Sequence, residues 1–266
     1  MLEAPSANLE TTSEGVALVT LNRPQKRNAF DEMMISELSD IFETLRSNEN
    51  IRVVFIKGSG HNFCAGGDLE WMQRAARHDI QDNEQDALDL ANMLNRLYNL
   101  PQMTVALVQG GAYGGGLGIL ACCDYVIATE NCHFCFSETR IGLIPATISP
   151  YCVEAIGVRN AKALFTSAMP FDAHHALKIG LIHEIALDES DLAKREERMA
   201  DLAFCASPSA IAATKKLIDD VKGKEINEHL IHETAKRIAH IRASEDAKEG
   251  LASFLEKRSP NWAKQN

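Results

Sequence analysis

Two glycine-rich turns and one glutamate carry the chemistry open to this chain. The turns are Phe63-Cys-Ala-Gly-Gly-Asp-Leu69 and Gly110-Gly-Ala-Tyr-Gly-Gly-Gly-Leu-Gly118. Each follows an apolar run with the character of a buried strand, and each opens a helical pattern. Helix starts carry unpaired N–H groups and the positive end of the helix dipole. Glycine lets another group come close to the backbone. Side by side at the carboxyl ends of parallel strands, where α/β sheets bind ligands, the turns can aim N–H groups at one developing oxyanion. Loss of one such donor costs about 10²–10³ in rate. Close packing of helix on strand is the competing account of the glycines, and it explains one such turn more readily than two.

Glu138 lies in Phe134-Cys-Phe-Ser-Glu-Thr-Arg-Ile-Gly142, after an aromatic strand. A carboxyl beside apolar surface has its pKa raised by desolvation, which suits general acid–base work. A structural pair with Arg140, or a helix cap, reads the same local pattern equally well. Other chemistries lack their signatures: there is no G-x-G-x-x-G, no P-loop, no G-x-S-x-G and no H-E-x-x-H. Cys132-His-Phe-Cys135 is the only C-x-x-C. A zinc site needs a second ligand pair, so no metal is expected and these cysteines read as small apolar strand residues. Nothing near Cys64 lowers its pKa. His61 and His174-His175 read as loop and solvated helix-start residues.

These groups need elements to hold them. Val16–Leu21, Val53–Ile56, Met103–Val108 and Tyr125–Ala128 read as strands. Between them, Asp31 caps a helix to about Ser47, a helix starts at Asp68, and helical spacing runs from Ala87 to Leu100, before Pro101. Residues 79–87 are polar and acidic, an exposed mobile loop or a helix start. A small-residue helix continues from the second turn to Cys123. Alternating strand and helix predict right-handed crossovers and a largely parallel sheet. Past about residue 145 helical patterns dominate. Asp172, Ser207-Pro208 and Ser244 mark helix starts, and Leu181–Ile185 is strand-like. The reading is an α/β core with a helical C-terminal region.

Composition sets the bounds. The 266 residues include 27 Lys and Arg against 37 Asp and Glu, a net charge of −10 that argues against a nucleic-acid partner. A small anionic ligand held by a few local cations remains compatible. Leu97–Cys123 is uncharged, but its Pro101, Gln102, Gln109 and six glycines argue against a membrane span. Seven cysteines at irregular spacing, and Met1–Glu10 without the pattern of an export signal, point to free thiols in a reducing cytoplasm.

Together these residues resemble the crotonase (enoyl-CoA hydratase/isomerase) superfamily, from Leu21-Asn-Arg-Pro and Arg27-Asn-Ala-Phe30 to Phe254-Leu-Glu-Lys-Arg258. The resemblance implies a β-β-α spiral core over residues 1–200. A helical oligomerisation region over 201–266 would make trimers or dimers of trimers. It implies coenzyme A thioesters as substrate, with no resident cofactor. By position, Gly67 and Gly115 would donate their N–H groups to the thioester oxygen, and Glu138 would be the acid–base group. Ala29, Ala65, Gly66, Asp68, Leu69 and Gly114 would line the CoA channel. Arg23, Lys26 and Arg27 would meet its phosphates, and Phe254 and Lys257 would reach CoA from the C-terminus.

The hydratases of this family commonly use two glutamates, and the first would stand at position 118, which is glycine. Gly118 is then expected to leave space for substrate or an ordered water. A single acid is similar to Δ3,Δ2-enoyl-CoA isomerases, while the aspartate of dienoyl-CoA isomerases is absent, its place being Ala146. The segment Ser137–Tyr151 and the Phe-Leu-Glu-Lys-Arg-Ser-Pro-Asn-Trp ending most resemble bacterial methylglutaconyl-CoA hydratases, relatives that also carry glycine there. Carboxygeranoyl-CoA hydratases look alike. Such substrates bear a distal carboxylate, for which Arg140, Arg74 and Tyr113 are candidates. Met72 joins the expected acyl pocket. A catalytically weak acyl-CoA-binding subunit is the alternative from another class.

Overall fold

The apolar runs of the sequence become the central strands of a mixed sheet. In a computed structural model residues 4–263 are described; residues 1–3 and 264–266, the outer ends of the two regions assigned from sequence, lie outside them. Strands β2 (Val16–Leu21), β3 (Val53–Gly58), β4 (Met103–Val108), β6 (Tyr125–Thr129) and β9 (Glu184–Ala186) pair in parallel in that order. A strand absent from the sequence reading, β1 (Ala7–Thr11), adds an antiparallel edge beside β2.

Strand side chains alternate between faces. Val54, Ile56, Ala106 and Val108 join the larger core with residues of α1 (Glu32–Arg46) and α3 (Ile80–Tyr98). Val53, Phe55, Val105 and Leu107 pack on the other side with Leu192, Met199 and Ala203 of α7 (Glu189–Cys205). Both faces are thus covered, which is why these strands read as continuous apolar runs.

Side-chain caps set the helix starts where the sequence placed them. Asp31 accepts from Met34 N–H at 2.9 Å, and Asp68 caps α2 (Leu69–Ala75), accepting from Glu70 N–H at 2.8 Å. Residues 80–87 belong to α3, because Asp79, its N-cap, accepts from both Gln81 and Asp82 N–H at 2.9 Å and starts the helix early.

The aromatic strand expected before Glu138 is β7 (His133–Cys135); it belongs to a second sheet whose other two strands, β5 (Gly111–Tyr113) and β8 (Phe171–Asp172), were not read from sequence. Runs of two or three residues carry no periodic signal. Between β5 and β6 lies α4 (Gly115–Cys122).

The C-terminal half is helical: α5 (Ser149–Ser167), interrupted at Gly157 with φ 75°, α6 (Ala173–Lys178), α7, α8 (Pro208–Val221), α9 (Glu228–Arg242) and α10 (Glu245–Glu256). Asp172, Ser207 and Ser244 cap α6, α8 and α10. Among the described residues, no helix is long and apolar enough to cross a membrane. Six of the seven thiols are buried, and Cys205 is exposed.

Candidate active site

Backbone segments 27–30, 64–68, 111–114 and 133–135 lie side by side at the ends of the strands. Ala65 N–H donates to Arg27 O at 2.9 Å, Phe30 N–H to Gly66 O at 2.7 Å and Asp68 N–H to Phe30 O at 2.8 Å. Tyr113 N–H donates to Cys64 O at 2.9 Å, and Gly114 N–H to Cys135 O at 3.0 Å. The two glycine turns are therefore joined through backbone. Gly66 (φ 88°) and Gly114 (φ 49°) both take left-handed backbone that glycine adopts without strain. They stand in contact: a Cβ on either would lie 3.8 Å from the Cα of the other.

Gly67 and Gly115 follow directly. Phe30 bonds to the residues on either side of Gly67, and in a parallel ladder that turns the Gly67 N–H away from Phe30. Gly115 is the first residue of α4, where an N–H has no helical partner. Both residues are partly exposed, and neither N–H donates a hydrogen bond among the described residues. Two unengaged donors thus stand just past two touching glycines, an arrangement suited to a carbonyl oxygen that gains charge.

Glu138 opens the short 3-10 turn Glu138–Ile141 after β7. Its Oε1 stands 3.2 Å from where a Cβ on Gly114 would lie. Its Oε2 is buried with no hydrogen-bond partner. Desolvation raises its pKa above 4.5, against the pull of its own backbone N–H. The alternative pairing with Arg140 does not occur, since Arg140 donates Nη2 to Ala168 O at 2.6 Å. Nor does the Glu138 side chain cap a helix. A half-buried carboxyl with a free oxygen, beside two unengaged N–H groups, can carry a proton to and from a bound carbonyl compound.

The remaining site residues divide. Arg23 is a clamp: it donates to Ala29 O at 2.7 Å and to Asp68 Oδ2 at 3.0 Å, and its Nη2 lies 2.9 Å from Asp31 Oδ2. Asp68 is 4% exposed. Burial pushes its pKa up, but hydrogen bonds from Glu70 N–H, Arg23 and Trp71 N–H bring it below 3.8. Ala29 is buried, Ala65 half-buried, and Leu69 exposed. Lys26 pairs with Glu70 at 2.8 Å, while exposed Arg27 turns its backbone through φ 53°.

Met72 lies against the Gly67 turn, its Sδ 3.4 Å from a Cβ placed there. Tyr113 folds its ring back over Gly111. Arg74 is bound by both oxygens of Glu32 at 2.9 and 2.8 Å. Phe254 and Lys257 lie exposed at the end of α10. Burial pushes the Cys64 thiol up to about 12, so it is no nucleophile.

Gly118 corrects an expectation. It opens no space: it is buried, and a side chain there would overlap Ile148. Glycine at 118 serves the packing of α4 on the start of α5.

Three residues escaped the sequence reading. Buried Asn28 holds the first turn, donating to Ser59 O at 2.9 Å and Asn62 O at 2.8 Å and accepting from Arg23 N–H. The Trp71 ring lies 3.7 Å from a Cβ on Gly67, with its Nε1 buried and unpartnered. The third is Ile148. An Asn-Ala-Phe run is a signal for the first; nothing local marks the others.

The sequence profile of the family described as enoyl-CoA hydratase/isomerase matches residues 11–265. The fold is similar to the crystal structure of an enoyl-CoA hydratase from Shewanella pealeana, with TM-score 0.93 and 41% identity over 97% of this chain and 96% of that one. It is similar to Pseudomonas aeruginosa AtuE, with TM-score 0.93 and 34% identity over 97% of this chain and 100% of that one. The enoyl-CoA hydratase ACTT6 of Alternaria alternata is 29% identical over 90% of this chain and 78% of its own.

Proposed function

The chain belongs to the enoyl-CoA hydratase/isomerase family, and on that premise we propose that it adds water to a 2-enoyl-CoA thioester. The substrate is 3-methylglutaconyl-CoA, an intermediate of leucine breakdown, or a similar branched or carboxylated enoyl-CoA. One observation carries the reading: the buried, unpartnered Oε2 of Glu138 beside the Gly66–Gly114 contact. The N–H groups of Gly67 and Gly115 hold the thioester oxygen and draw charge from the enoyl system. Water adds at the β-carbon, and Glu138 carries the proton to the α-carbon. Coenzyme A enters as part of the substrate, and no resident cofactor takes part.

The segment Ser137–Tyr151 supports the acyl assignment through its resemblance to methylglutaconyl-CoA hydratases. The free thiols support a cytoplasmic enzyme. Exposed apolar side chains on the C-terminal helices, with Phe254 at 80% exposure and Leu255 at 71%, support assembly into trimers or dimers of trimers through residues 201–266.

A second reading rests on the single acid. Glu138 alone can remove and return one proton, as in Δ3,Δ2-enoyl-CoA isomerization. Incubation with methylglutaconyl-CoA, crotonyl-CoA and 3-hexenoyl-CoA separates the two. Hydration of the first, with or without the second, supports the hydratase. Migration of the double bond in the third alone supports the isomerase. Binding without turnover of any overturns both.

A further inference from the structure

Gly118 has ordinary backbone, so glycine stands there for space alone. The Cβ of any other residue would overlap Ile148 Cγ2, with Ile148 Cβ at 3.1 Å and Leu94 Cδ1 at 3.4 Å. Ile148 cannot swing away. It is 1% exposed, its branched Cβ is stiff at χ1, and that Cβ is itself too close.

Ile148 precedes α5, and its carbonyl accepts from Cys152 N–H at 3.0 Å. Cys152 Sγ in turn meets Leu117 O of α4 at 3.7 Å. After burial, the charge of Glu138 is what raises that thiol's pKa. The start of α5 therefore covers α4 within electrostatic reach of the acid. Position 118 lies one turn along α4 from the Gly115 N–H, on the same side of the helix.

We infer that Ile148 makes this a one-carboxylate centre: its side chain fills the space into which a second acid on α4 would project. Residue 118 is glycine because Ile148 is there, so the two positions determine the chemistry as a pair. Resting on the hydration reading, the consequence is a closed cycle at Glu138. The carboxylate takes a proton from water as the new C–O bond forms at the β-carbon. The π electrons move to the thioester oxygen. As the enolate collapses, Glu138 returns that proton to the α-carbon. Atoms and charge balance with one acid, and hydrogen and hydroxyl arrive on the same face.

The test compares wild type, Gly118→Ala, Gly118→Glu and Ile148→Gly with the two double variants. Either change at 118 is expected to lower Tm by about 5–10 °C, as overpacking does in a chain of this size. Ile148→Gly carries a cavity cost of its own, so the pair is read as a double-mutant cycle: either change at 118 is expected to lower Tm much less in the Ile148→Gly background than in wild type. In crotonyl-CoA hydration the pH profile of kcat/KM should show one ionising carboxyl in wild type and two in Gly118→Glu/Ile148→Gly. The inference is overturned if Gly118→Ala and Gly118→Glu melt like wild type, or if each costs as much in the Ile148→Gly background as in wild type. It is also overturned if a folded double variant titrates with one group only. A wild type inert toward every enoyl-CoA would sink the hydration reading, and the melting temperatures would then decide the inference alone.

Discussion

Oε1 of Glu138 stands 3.2 Å from the point where Gly114 would carry a β-carbon. Two residues 24 positions apart in the chain thus bring a carboxyl against the turn that starts α4 and leads into the Gly115 N–H. Gly114 also takes left-handed backbone that a side chain would strain, and a Cβ there would crowd the carboxyl.

Removing the charge on Glu138 should separate chemistry from folding. Glu138→Gln is expected to lower kcat by at least about 100-fold with CoA-thioester binding kept. Initial-rate kinetics beside binding calorimetry read this. A variant with near-normal kcat would take Glu138 out of the mechanism.

The same carboxyl links pH to rate and stability. Its folded pKa is raised by desolvation, so the reactive carboxylate is lost as pH falls through that raised value. kcat/KM should therefore drop on the acid side above the usual carboxylate range. Stability runs the opposite way. Protonated Glu138 favours the fold, a contribution present below the unfolded pKa and lost as pH rises through the folded one. Glu138→Gln should thus melt higher than wild type at neutral pH and no higher near pH 3. Equal melting temperatures at both would contradict this.

Arg23→Ala should destabilise by about 3 kcal/mol, because it strips a buried carboxylate of its partner. The carboxylate is Asp68, 3.0 Å from the lost guanidinium. Asp68 titrates below 3.8 in the fold, so this stability is present above the unfolded pKa and lost as pH falls through the folded one. Urea denaturation at neutral pH and in acid reads both. The difference between wild type and variant should shrink in acid; one that is constant with pH would refute the clamp.

The clamp and the turns also show what local pattern can reveal. Asp31, Asp172, Ser207 and Ser244 act on N–H groups three residues away, and their roles could be read from neighbours. The central strands followed from their apolar runs. Glu138 and both glycine turns stood out by composition and position. Arg23 and Asp68, by contrast, meet across 45 positions, and Gly118 meets Ile148 across 30. Neither pair has a periodicity to betray it. The same holds for β1, a polar edge strand, and for β5 and β8 of the second sheet, whereas the aromatic β7 was legible. Gly118 reads alone as an opening and only in the fold as a filled contact.

The two donor glycines should differ in what they tolerate. The atoms nearest a Cβ on Gly67 belong to Met72 and Trp71, at 3.4–3.7 Å, whereas one on Gly115 meets the buried Phe30 ring at 2.9 Å. Gly67→Ala should keep the fold and most turnover. Gly115→Ala should lose at least about tenfold in rate as Phe30 is displaced, since each donor is worth about 10²–10³. Steady-state rates on the two purified variants decide it; equal losses would refute the difference.

The central claim is that the Gly67 and Gly115 N–H groups grip one thioester oxygen beside Glu138. The most direct measurement is a crystal structure with a slowly reacting acyl-CoA bound. The expected result places that oxygen about 2.7–3.1 Å from both nitrogens, with a Glu138 oxygen facing the α-carbon. An oxygen held by one nitrogen or neither, or an acyl chain that leaves Glu138 without contact, would contradict the account.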